Sequence, residues 1–157
     1  MKCSRRAFSI AGLLLSAMAL MASGEDTKDE AIKKDRKQLE GSWVATSLEV
    51  DGNKAMDEDA KKITLIIGAD GSWNLNADGK EVSQGTTSID PSKPPKTIDF
   101  TVTSGNDKGE QSLGIYEFGD NTVKFCVSKS GKERPGEFSS PSGSATILIS
   151  FERMKTT

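Results

Sequence analysis

From Gly41 onward, apolar residues recur at every second position in short runs: Ile63, Leu65 and Ile67; Ile98, Phe100 and Val102; Val123, Phe125 and Val127; Ile147, Ile149 and Phe151. Side chains of a β-strand alternate between two faces, so each set lies on one side of its strand and is the expected core. Strands are predicted near 43–50, 62–67, 72–76, 81–88, 97–103, 111–118, 122–127 and 145–152. Between them stand Asp51-Gly52, Asp70-Gly71, Asp78-Gly79 and Gly119-Asp120-Asn121. Gly and Asn accept the positive φ that tight hairpins require. About eight short strands with such turns point to an all-β sandwich or barrel. The first strand breaks the rhythm, because Val44, Leu48 and Val50 share a side that Trp43 does not. A bulge after Trp43 would reconcile them.

Two segments read as loops. Residues 89–96 contain Asp90-Pro91 and Pro94-Pro95, and residues 128–144 are rich in Ser, Gly and Pro. Proline cannot join a central ladder. The second segment is long for a connection inside a compact domain, which makes it a functional rim or a disordered stretch. Ahead of the strands, residues 25–40 form a charged leader in which Thr27 and Glu30 have capping-box spacing. A short helix is expected there, ended by Gly41. It is either a solvated arm or a plug against one barrel end, with Leu39 as the contact.

The two ends of the β-rich region carry Gly41-Ser42-Trp43 and Phe151-Glu152-Arg153. If the sheet closes, these become neighbours and Arg153 can lie over the Trp43 indole, a cation–π contact of about 0.5 to 2 kcal/mol. That is the pattern of a small lipocalin-like antiparallel barrel, with the pair acting as a structural latch. Eight strands enclose room for side chains or one small ligand.

The N-terminus sets the expected compartment. Lys2, Arg5 and Arg6 precede an apolar run from Ala11 to Ala22, interrupted by Ser16 and followed by Ser23-Gly24. This reads as a signal peptide over 1–24, with a retained membrane anchor as the lesser reading because the run is short for a span. Ser4-Arg5-Arg6-Ala7-Phe8 also has the look of the twin-arginine export route. Cys3 precedes the apolar run and so forms no lipid-attachment box. The expected product is a periplasmic or secreted domain over 41–157 with its leader. The chain carries a formal charge of −2, and losing those three bases makes it more acidic. Nucleic acid and anionic membranes are therefore unexpected partners. Cys126 remains as the only cysteine after cleavage, so no intrachain disulfide is expected.

The chain has no histidine. Ser-His-Asp triads, Cys-His pairs, histidine-ligated haem and the usual histidine-containing zinc sites are unavailable to it. No cofactor or metal is expected, and the reading is not an enzyme. Asp57-Glu58-Asp59 and the pair Asp90 and Asp99 offer carboxylates, but nothing in the pattern fixes two of them at a working distance. Asn74, Asn76, Asp78 and Gly79 have the spacing that opens a calcium loop, yet Gly85 stands where the bidentate Glu belongs. A strand entering a hairpin fits these residues better. Cys126 reads as a packed thiol rather than a nucleophile. In Arg134-Pro135-Gly136-Glu137-Phe138, Arg134 either meets an anionic ligand at the barrel mouth or pairs with a nearby carboxylate while Phe138 anchors the loop.

Several spaced motifs carry a wider resemblance: Leu39-Glu40-Gly41-Ser42-Trp43, Asp51-Gly52, Asp90-Pro91 through Lys96-Thr97-Ile98-Asp99, Gly114-Ile115-Tyr116, Phe125-Cys126, Arg134 to Phe138, and Arg153. Together they resemble the planctomycetal family of short, usually exported, lipocalin-like domains of unknown function. The resemblance implies an eight-stranded up-and-down barrel and no particular activity. Two functions then stand. A barrel with a cavity would bind a small apolar or amphipathic molecule, lined by some of Leu65, Trp73, Phe100, Tyr116, Phe125 and Ile149, with Arg134 at the mouth. A filled barrel would be a structural or protein-interaction domain acting through its rim loops.

Overall fold

The computed structural model describes residues 23–155. The expected export segment therefore lies, up to residue 22, outside the described residues. Among those described, no helix is long and apolar enough to cross a membrane.

Helix α1 (Ser23–Leu39) is followed by β1 (Gly41–Val50), β2 (Asn53–Lys54), a short α2 (Asp57–Ala60) and β3 (Ile63–Ile67). Strands β4 (Ser72–Ala77), β5 (Lys80–Asp90), β6 (Lys96–Val102), β7 (Gln111–Phe118), β8 (Thr122–Ser128) and β9 (Thr146–Arg153) complete the chain. The strands β1 and β3 to β9 pair antiparallel in sequence order, and β9 returns to pair with β1. The result is a closed eight-stranded barrel with no free edge, which removes the unpaired backbone groups an open sheet would expose.

Helix α1 starts before Thr27, whose hydroxyl donates to the Gly24 carbonyl from inside the helix. The capping-box spacing therefore does not mark its beginning. Acidic residues in the first turn and Arg36 and Lys37 in the last complement the helix dipole. The strand β2 and helix α2 do not follow from the alternation pattern. Asp51-Gly52 turns the chain back along β1, pairing Val50 with Asn53, before α2 carries it to the next barrel strand. Asp57, Glu58 and Asp59 stand exposed on α2.

The bulge expected after Trp43 is present and sits at Thr46: Ala45 pairs with Phe151 and Ser47 with Ser150. Trp43 and Ala45 precede it and are buried, whereas Leu48 and Val50 follow it opposite Ile149 and Ile147. All four face the interior, so Val44 does not share their side. The β4–β5 hairpin turns at Asp78 and Gly79, with φ of 52° and 74°. Asn74 donates to the Glu81 carboxylate across it, which confirms a hairpin where calcium-loop spacing occurs.

The core falls off along the barrel axis. Near α1, Leu39, Trp43, Ile98, Val123 and Phe151 are almost wholly buried. Toward the other end the inward-facing Leu48, Leu75, Phe100, Val127 and Ile149 are only partly covered. The 129–145 connection is neither a free rim nor disordered. It lies along the outer wall, where Ile115 and Cys126 are buried apart from the main core. The shorter 91–95 connection leaves Asp90 and Lys96 inside strands.

Candidate functional site

The end of the barrel near α1 is shut. Leu39 caps the interior with no solvent exposure, and the Trp43 indole N–H donates to its carbonyl at 2.9 Å. Arg153 pairs with Trp43 across the β1–β9 closure and lies over its ring, the guanidinium carbon 4.2 Å from the centroid. The same guanidinium donates to the carbonyls of Glu40 at 2.8 Å and Gln38 at 2.6 Å. These carbonyls would otherwise be orphans of the helix C-terminus. Gly41 is required here, since its φ is +135° and a Cβ would come within 2.5 Å of Arg153 Nη1.

Polar contacts hold the rest of the helix down. Asp35, 3 % exposed, accepts from Lys96 Nζ at 2.8 Å and from the Tyr116 hydroxyl at 2.7 Å. Burial and the hydrogen bond to the Asp35 carboxylate push the Tyr116 phenol well above its usual range. Arg36 donates to both the hydroxyl and the carbonyl of Thr87, and burial lowers its guanidinium somewhat. Lys28 reaches Asp90 at 3.5 Å. A hydrogen bond from Ser92, first among its causes, holds the Asp90 carboxyl below the ordinary range.

The opposite end contains a cavity of about 190 Å³. Leu65 on β3, Trp73 and Leu75 on β4, Phe100 on β6, and Phe125 and Val127 on β8 form most of its wall. Strand β9 adds Ile147, Ile149 and Phe151, and β7 adds Ser112. No charged side chain lines it. The rings meet edge to face, Trp73 with Phe100 at 5.8 Å, Phe100 with Phe125 at 5.6 Å, and Phe125 with Phe151 at 6.0 Å. Gly85 makes room for this wall: a Cβ there would stand 3.0 Å from the Trp73 ring and 1.8 Å from the Thr101 carbonyl oxygen.

Of the residues singled out from the sequence, Leu65, Trp73, Phe100, Phe125 and Ile149 meet at this cavity. Tyr116 does not, because it faces the closed end and is engaged by Asp35. Arg134 lies on the outer wall, away from the mouth. Its Nη1 is 2.7 Å from Asp99 Oδ1 and donates to the carbonyls of Gly114 at 2.7 Å and Ile98 at 3.3 Å. The N–H vectors aim at the carbonyls, so Asp99 is held by charge rather than by a directed hydrogen bond. Phe138 nearby lies under Lys124, 6.0 Å from the ring centroid. Cys126 sits beneath the same connection with its thiol donating to the Ser139 carbonyl at 3.3 Å, and burial raises its pKa.

Leu75, Ser112, Val127, Ile147 and Phe151 complete the cavity without having been singled out as site residues, although the last three were expected in the core. Ser112 was legible in principle, since it shares the inward face of β7 with Gly114 and Tyr116 at period two. The Asp35, Lys96 and Tyr116 cluster carried no local signal, its partners being 61 and 81 residues apart along the chain.

A larger groove of about 370 Å³ runs over the outer wall beside Pro94, Pro95, Phe118 and Phe138. Its central cation, Lys96, is already paired with Asp35. Among the described residues, no group of three or more His, Cys, Asp or Glu side chains is placed to hold a metal ion. No family model, curated protein or solved structure matches this chain.

Proposed function

We propose that the chain is an exported, lipocalin-like barrel that binds one small apolar molecule in the interior at the end away from α1. The supporting observation is the apolar cavity itself: Leu75, Phe100, Val127 and Ile149 of its lining stay partly accessible, whereas Leu39 and Trp43 at the α1 end are sealed. Access from one end only suits reversible capture. A volume of about 190 Å³ is below the roughly 300 to 1,000 Å³ common for drug-sized ligands. It therefore favours a compact ligand over a lipid chain. The basic, apolar and small-residue order of residues 2–24 supports an extracytoplasmic location. The lack of histidine and the exposure of the α2 carboxylates favour binding over catalysis.

Protein purified under native conditions should carry a reproducible small-molecule adduct by native mass spectrometry, and Ile149→Trp, which fills the cavity, should remove it. An adduct unaffected by Ile149→Trp overturns the site. Absence of any adduct, together with no thermal shift from a panel of compact neutral compounds, overturns binding altogether.

A second reading, a structural or interaction barrel acting through its rim loops, is favoured by one observation. The edge-to-face series from Trp73 to Phe151 already fills the middle of the barrel. Retained stability in Ile149→Trp with no ligand found would support this alternative.

A further inference from the structure

Resting on the cavity reading above, we infer that the ligand is a neutral, single-ring phenol or aromatic alcohol whose hydroxyl meets Ser112. Size sets the first limit. An enclosed apolar protein cavity of about 150 Å³ takes one benzene, so the cavity of about 190 Å³ here, open at its mouth, seats one ring with one or two small substituents and leaves any larger part of a ligand outside in solvent. Charge sets the second. No charged side chain lines the wall, and a buried ion without a partner is strongly disfavoured. Carboxylates and amines are thereby excluded in their ionised forms. The aromatic wall sets the third, because Trp73, Phe100 and Phe125 present ring edges and faces that another ring can join in the same edge-to-face geometry.

Ser112 supplies the polar feature. It is the single polar side chain among the lining residues, and its hydroxyl has no hydrogen-bond partner among the described residues. A wholly apolar ligand seated there would cut that hydroxyl off from solvent without replacing its hydrogen bond. A ligand hydroxyl replaces it, and Ser can serve as either donor or acceptor.

Isothermal titration of the full chain with p-cresol, toluene and benzoate, repeated on Ser112→Ala, tests this. Expected are p-cresol binding that weakens about three- to tenfold in Ser112→Ala, the loss of one neutral hydrogen bond; toluene binding that holds or tightens in Ser112→Ala, because no hydroxyl is then cut off from solvent, which also reports an intact barrel; and no benzoate binding. If p-cresol binds both proteins equally, or benzoate binds as tightly as p-cresol, the ligand class is overturned while the cavity reading stands. If neither p-cresol nor toluene binds the unaltered protein, the cavity reading falls and this inference falls with it.

Discussion

Arg153 stacks on Trp43 at one rung of the β1–β9 closure and, from that position, caps the last carbonyls of α1. The pair thus closes the barrel and seats the helix together. Trp43→Ala should cost about 3 to 5 kcal/mol, because a fully buried indole leaves a cavity that its neighbours cannot refill. Arg153→Ala should cost about 1 to 2 kcal/mol, from the lost cation–π contact and helix cap. A double-mutant cycle by urea unfolding should show coupling of about 0.5 to 2 kcal/mol. Strict additivity would mean that the stack contributes nothing.

Two glycines separate steric need from backbone need. A Cβ on Gly85 would stand 1.8 Å from a backbone oxygen, an approach that no side-chain movement relieves. Gly85→Ala should lose about 3 kcal/mol or more, since strands β5 and β6 must part to admit it. Gly79, at φ +74°, has nothing within 4 Å of its Cβ position. Gly79→Ala should therefore cost only the left-handed backbone strain, about 1 to 2 kcal/mol. Equal denaturation midpoints for the two variants would refute the distinction.

Period-two alternation was enough to reveal the barrel strands, because a strand with one buried face must repeat at that period whatever lies across from it. The same pattern placed Phe100, Phe125 and Ile149 inward. It misplaced Val44, because a bulge shifts every later residue to the other face and Thr46 bears no mark that distinguishes it from Ser47. Arg134 was legible as a residue needing an anion, but its actual partner, Asp99, depends on how the 129–145 connection lies over the wall. The polar anchoring of α1 depends wholly on closure, which brings Asp35 to Tyr116 only once the sheet is complete.

Tyr116 is the only tyrosine, which makes its titration directly visible in the ultraviolet. Burial and Asp35 raise its folded pKa above the ordinary value near 10. The protonated phenol is thus favoured by folding. Its contribution is full below pH about 10 and is lost as pH rises beyond that, where the unfolded chain ionises first. Native protein should show no phenolate through pH about 10, whereas protein unfolded in guanidinium should titrate there. Tyr116→Phe should cost about 1.5 to 3 kcal/mol at neutral pH, the range for a hydrogen bond to a charged group. It should also flatten the alkaline loss of stability. A native phenolate appearing near pH 10 would show that Asp35 and burial do not protect the group.

Cys126 reports on the connection that covers it. The thiol is fully buried against the Ser139 carbonyl, and its raised pKa leaves little thiolate at neutral pH. Reaction with a thiol reagent therefore requires the 129–145 connection to lift. Arg134 ties that connection to the wall, binding Asp99 and two carbonyls that belong to different strands. Removing it leaves the Asp99 carboxylate partly buried without its cation, and a cost of about 1 to 2 kcal/mol is expected given the partial exposure of both groups. If that cost falls on local opening, labelling of Cys126 in Arg134→Ala should quicken by about five- to thirtyfold, since each 1.4 kcal/mol is roughly a factor of ten. Peptide mapping separates this site from Cys3. Labelling that quickens only as much as global unfolding does would mean that the connection and the barrel open as one unit.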